Sequence, residues 1–289
     1  MSCDCYDILG QRVIVRATSG EFAARVGRLL RSFPFCSEDK RAADVTLSLV
    51  VAPPGRDPAI RPFHFLHRDG FQIGRTTYER QLFRFLECQL DILLAEKVDG
   101  SLLLHAGAVA RNGAGVLLPG PSGSGKSSLS LALLQSGYTY FSDEVGVVDP
   151  ATGWLHPFPK PVSIKDLSLF GELGRRNDLW FGPDASRSAN GSEGVWYLHP
   201  EDLTSKAVGG PTPIRYIIFP GYHRDNEPRL LPLAPGEALK ELINNSINLS
   251  RLGNEGFHLL ATLARQARCF SLQAGDLETS LALVSRLTV

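Results

Sequence analysis

A charge of either sign is not in excess in this chain. Thirty Lys and Arg balance thirty Asp and Glu, so no net field draws it to nucleic acid or to an anionic membrane. Long apolar runs are missing too. No stretch reaches the length that spans a bilayer, and the opening MSCDCYDILG has neither the basic nor the apolar region of a signal peptide. A soluble, cytoplasmic protein with no nucleic-acid or membrane partner is expected. Cysteine is scarce: Cys3, Cys5, Cys36, Cys88 and Cys269 form an odd, scattered set. Their spacing calls for no disulfide. The Cys3-x-Cys5 pair sits at a terminus expected to be loose, and it offers two ligands where a structural metal site takes four.

What is present is a chain of alternating patterns. QRVIVRAT (11–18) alternates like a strand, and EFAARVGRLLRSF carries apolar residues at helical spacing. DVTLSLVVA (44–52) reads as a second strand. RPFHFLH and GFQIG read as a strand pair turned at Asp69-Gly70. His64 and His67 fall in that pair, where an edge or solvent-facing role is expected rather than a ligand role. An amphipathic helix follows, with Leu82, Phe83, Leu86 and Leu90 on its buried side. Residues 1–97 are thus expected to form a small α+β accessory domain without a catalytic constellation.

The character changes from Ser101. SLLLHAGAVAR, Asn112-Gly113 and AGVLLPG read as a β-hairpin whose second strand runs into GPSGSGKS. A helix from Lys126 to about Gln135 and a strand, YTYFS, come next. VGVVD and WLHPF form a strand pair turned over 150–153, and a helix is expected to begin near Ile164. Residues 171–193 lack periodicity and are rich in Gly, Ser, Asn and charge, so 173–193 is the expected loop to close over a substrate. IRYIIFP (214–220) has the continuous apolar character of a fully buried strand. Two amphipathic helices, a strand and a last helix complete 98–289 as an α/β catalytic domain.

Gly120-Pro-Ser122-Gly123-Ser124-Gly125-Lys126-Ser127 matches G-x-x-x-x-G-K-[ST], placed between a strand and a helix as that motif requires. Its glycines let successive N–H groups converge on phosphate oxygens with no Cβ in the way, and the helix N-terminus adds partial positive charge. Lys126 would reach the β and γ phosphates, Ser127 would complete a Mg²⁺ shell, and Ser128 would continue the cradle. ATP and Mg²⁺ are therefore expected. Motor ATPases place their Mg²⁺-linked acid far downstream, whereas here Asp143-Glu144 follows after one helix and one strand. A strand returning beside the loop strand would bring this pair to the phosphate rim. One carboxylate would steady Mg²⁺ and the other would accept a proton from an attacking hydroxyl, a role worth about 10²–10⁴ in rate. Spacing alone favours a core position for His105 over one beside the loop.

The order His105-Ala, the ARNGAG turn, GVLLPGPSGSGKSSLSLALLQSGY and then SDE resembles the catalytic core of the HPr kinase/phosphorylase superfamily. The overlap runs from about residue 101 to 150. The continuation GWLHPFPKPVSIKDLSLFG is similar to HPr-kinase-related proteins of bacterial gene clusters, some of which serve modified-peptide biosynthesis. The resemblance implies a P-loop kinase core of the HPr kinase/PEP carboxykinase-like type, often oligomeric. It implies Lys126 and Ser127 on the phosphates and Mg²⁺, and His105 near the transferred phosphoryl group. It also implies Asp143 on the metal side and Glu144 at the family's catalytic aspartate. Glu144 departs from that aspartate, which leaves the identity of the base open between Asp143 and Glu144. The glutamate- and glycine-rich segment tied to the phosphorylase reaction has no counterpart here. In its place stands PKPVSIK, whose Lys160 and Lys165 either meet phosphate or an acidic substrate or are simply solvated. The expected function is ATP-dependent phosphorylation of a hydroxyl, foremost Ser, on a protein or ribosomal peptide, without the reverse activity. The alternatives are a small-molecule kinase and a nucleotide-gated binding protein.

Overall fold

The computed structural model describes residues 2–8, 10–36, 42–53, 55, 57, 59, 61–97, 100–166, 168–170, 180–181, 196–225 and 227–288. The segment expected to cover a substrate, 173–193, lies outside them except for Trp180 and Phe181. Two compact units are present, one built on Met1–Val98 and a larger one on Asp99–Trp180 and Trp196–Val289. Among the described residues no helix is long and apolar enough to cross a membrane.

In the first unit β1 (Ser2–Ile8), β2 (Gln11–Ala17), β3 (Val45–Val50), β4 (His64–Arg68) and β5 (Phe71–Thr76) form one sheet in chain order. Helix α1 (Gly20–Leu29) provides the crossover that the parallel pairing of β2 with β3 requires. It starts at Ser19, whose hydroxyl accepts from Phe22 N–H, and it buries Phe22, Val26 and Leu29. Helix α2 (Glu79–Lys97) buries Leu82, Phe83, Leu86 and Leu90. The β4–β5 turn uses positive φ at Asp69 and Gly70, as the dipeptide predicts.

Three expectations fail in this unit. The N-terminus is not loose: residues 2–8 pair along their whole length with β2. Cys5 is bonded to Cys36 in a disulfide, because β1 also bridges Phe35 through Tyr6 and Cys36 N–H donates to Cys5 C=O. His64 is buried rather than solvent-facing, and its Nδ1 accepts from Ala52 N–H at 3.2 Å.

The second unit contains β6 (Leu102–Arg111), β7 (Ala114–Pro119), α3 (Lys126–Gln135), β8 (Thr139–Ser142), β9 (Val145–Val148), β10 (Trp154–His156), β11 (Val162–Ile164), β12 (Trp180–Phe181) and β13 (Trp196–Leu198). It continues through α4 (Pro200–Leu203), β14 (Thr212–Tyr222), β15 (Arg229–Pro232), α5 (Pro235–Asn244), α6 (Leu249–Gln266), β16 (Arg268–Ala274) and α7 (Leu277–Ser285). The main sheet runs β10-β9-β6-β7-β14-β16-β15, with β8 also on β6; a small sheet runs β11-β13-β12. Ile164 therefore ends a strand and does not start a helix.

Helices cover both faces of the main sheet, which is why its strands read as near-continuous apolar runs. Ile217 and Phe219 of β14 enter a core with Ala238, Leu242, Leu260 and Leu263 of α5 and α6. Between them in sequence, Ile218 points to the opposite core with Leu129 and Leu133 of α3 and Val284 of α7. Helix α3 also sends Leu131 and Leu134 into a third cluster with Tyr140, Val162, Ile164 and Leu198. Covered on two sides, it carries almost no polar face, and each fully buried leucine contributes about 1.5–3 kcal/mol.

Candidate active site

Strand β7 ends at Pro119 and the chain turns through Gly120–Gly125 before α3 begins at Lys126. Gly123 and Gly125 hold φ of +86° and +95°, where a side chain would be strained. Gly120 is needed for another reason: a Cβ there would lie 2.7 Å from Ser124 Oγ. Gly125 caps α3 with no side-chain hydrogen bond, which leaves the first-turn N–H groups open to a ligand. Ser122 and Gly123 form the exposed tip, while Ser127 and Ser128 are half-buried on the first turn.

Lys126 is buried and folds back over its own loop, donating from Nζ to Gly120 C=O at 2.7 Å and Pro121 C=O at 2.8 Å. Burial pushes its ammonium below the ordinary lysine range, opposed by the Glu144 and Asp143 carboxylates.

The acid pair reaches this rim by a route the spacing did not disclose. Strand β8 lies against β6, the first arm of the hairpin, and not against the loop strand β7. Because β6 is antiparallel to both β7 and β8, the carboxyl end of β8 still faces the loop end of β7. Asp143-Glu144 then forms the step between β8 and β9, with Ser142 Oγ accepting from the N–H groups of Glu144 and Val145.

The two carboxylates occupy different surroundings. Asp143 is buried and accepts from Tyr140 O–H at 2.9 Å, Ser163 N–H at 3.3 Å and the Ser163 hydroxyl at 3.4 Å. The nearby Ser127 hydroxyl also favours its ionised form. Burial, followed by the neighbouring Glu144, pushes Asp143 above the ordinary carboxylate range. Glu144 is 52% exposed and pairs with Lys160 Nζ at 3.4 Å, while the Lys160 side chain is only 5% exposed. That ammonium is the chief cause holding Glu144 below the ordinary range, against burial, so it stays ionised.

His105 is half-exposed and lies outside the core that spacing favoured. Its main chain joins the two parts of the site: Gly120 N–H donates to its C=O, and the next residue, Ala106, donates to Glu144 C=O. Burial first, then the Lys126 ammonium, push the imidazole below its usual range.

His105, Lys126, Ser127, Asp143 and Glu144 thus share one rim. Lys160 joins them and is not a solvated surface lysine; Lys165 is exposed but close enough to depress Lys126. Tyr140 and Ser163 escaped notice because each reads as an ordinary strand residue. Strand alternation would set Tyr140 and Asp143, three residues apart, on opposite faces; they meet because β8 ends at Ser142 and the chain turns at the acid pair.

The residues fit a nucleoside triphosphate with Mg²⁺. Ser124 Oγ is buried with no hydrogen-bond partner, a group that a phosphate oxygen would satisfy. Among the described residues no three His, Cys, Asp or Glu gather as a metal cage. Mg²⁺ does not need one, since it is held by one or two carboxylates together with substrate phosphates.

No protein-family model matches the chain, and no curated protein matches it. Among solved structures it is similar to the HPr(Ser) kinase/phosphatase from Coxiella burnetii. That similarity has 13% identity and a TM-score of 0.29, and it covers 64% of this chain and 96% of that one.

Proposed function

We propose that the chain is an ATP-dependent kinase that transfers the γ-phosphoryl group to a hydroxyl, foremost Ser, of a protein or ribosomal peptide. The observation that carries this reading is Glu144: an ionised, half-exposed carboxylate on the rim shared by Lys126 and Ser127. Lys126 would turn from the Gly120 and Pro121 carbonyls to the β and γ phosphates. Ser127 and Asp143 would hold Mg²⁺, which supplies charge neutralisation between the phosphates when bound. Glu144 would accept the acceptor's proton as the new O–P bond forms and the bond to the ADP oxygen breaks. Buried and bonded to Tyr140 and Ser163, Asp143 is less free to meet a hydroxyl than Glu144 is, which separates the roles of the two acids. The choice of a seryl acceptor rests on the resemblance over about residues 101–150.

The test is incubation with Mg²⁺-ATP and a panel of seryl peptides, including those encoded beside the gene, read by intact mass. A gain of one phosphate on an acceptor is expected. No gain on any acceptor, with ATP hydrolysis indifferent to Glu144→Gln, overturns the reading.

A further inference from the structure

The loop has two flanks, and only one carries the acids. On the first, β6 separates the loop strand from β8 and β9, whose junction holds Asp143 and Glu144. On the other, β14 runs parallel to β7 and so ends at the same rim. A triphosphate seated on Gly120–Ser127 with its terminal phosphate toward Glu144 would carry its nucleoside on the flank without the acids, where β14 ends.

Strand β14 ends there on Tyr222. Its Cβ lies 3.5 Å from the point a Cβ on Gly125 would occupy, so the side chain leaves the strand beside the loop. The residue is 51% exposed, and its backbone is fixed by pairing with Ala274 and by the next N–H, His223, donating to Ala274 C=O at 2.9 Å. A rigidly held, half-exposed aromatic at the nucleoside end of a phosphate site suits the π-face of a base.

Building on the nucleotide reading above, we propose that Tyr222 is the nucleobase platform of this site and stacks on the base of the bound nucleoside triphosphate. Every base presents a π-face, so the platform favours nucleotides over bare polyphosphate without selecting strongly among bases.

Calorimetric titration of ADP and of inorganic tripolyphosphate tests it. Tyr222→Ala is expected to weaken ADP about tenfold, within the range of one base–aromatic stack, and to leave tripolyphosphate unchanged; Tyr222→Phe is expected to bind both like wild type. Unchanged ADP affinity in Tyr222→Ala overturns the platform, as does equal weakening of both ligands. A second measurement uses the wild-type protein alone. Saturation of aromatic ring protons should transfer to the adenine protons of ADP, and absence of transfer overturns the proposal. If wild type binds neither ligand, the nucleotide reading falls and the platform with it. If wild type binds both but Tyr222→Ala discriminates no differently, only the platform falls.

Discussion

Replacing Lys160 by methionine separates a structural role for its ammonium from a catalytic one. Two unit charges at the observed 3.4 Å attract by about 5 kcal/mol at an effective dielectric of about 20. Glu144 is 52% exposed, so solvent screens the pair and the net interaction falls toward about 1 kcal/mol. Against that loss, the variant no longer buries an ammonium, and methionine fills much of the volume of the apolar stem. Unfolding free energy should therefore change by no more than about 1 kcal/mol in either direction. Catalysis should suffer far more. A fixed charge beside the reacting groups is typically worth about 10²-fold or more, so kcat for phosphoryl transfer should fall by that order. Nucleotide affinity, which the proposed reading places on Lys126 and the loop amides, should move by less than about threefold, under 1 kcal/mol. Urea denaturation, ADP calorimetry and single-turnover transfer measure the three quantities. A loss of about 3 kcal/mol or more in stability with kcat intact would refute the reasoning and make Lys160 a purely structural ion.

Two further outcomes test the fold. In the native protein a maleimide should label exposed Cys3 and Cys88. It should spare Cys269, which is buried and pushed to about 11. Cys5 and Cys36 should label only after reduction, and release of their 31-residue loop should cost about 3–4 kcal/mol in the chain-entropy account; rapid native labelling of Cys5 would contradict the pairing. Gly146→Ala should destabilise by about 1–3 kcal/mol, because its Cβ would meet Leu117 Cδ1 at 2.7 Å and Ala106 Cβ at 3.4 Å; an unchanged urea midpoint would show that this part of the core is loosely packed.

The loop and its flanks were legible because their information is local. Asn112-Gly113 dictates a hairpin turn, glycines mark positive φ, and an apolar run after G-K-S dictates α3. What escaped depends on contacts distant in sequence. Strand β1 looks like a loose terminus until β2 and the 35–36 segment pair with it, and that same pairing brings Cys5 to Cys36. Three-residue strands such as β11 and β13 are too short to show a period, so Ile164 read as a helix start. Lys160 could not be distinguished from a solvated lysine in sequence, since its burial comes from a segment that folds across β8. His105 alternates with core residues on β6, and only the arrival of the loop and the acid step at that strand's end turns its position into a rim.

The most direct measurement of the central claim compares Glu144→Gln with Asp143→Asn in single-turnover transfer from Mg²⁺-ATP, with ADP affinity measured alongside without and with Mg²⁺. If Glu144 is the base, Glu144→Gln binds ADP like wild type but loses about 10²-fold or more in transfer, while Asp143→Asn loses the Mg²⁺-dependent part of the affinity. Transfer at the wild-type rate by Glu144→Gln would contradict the account.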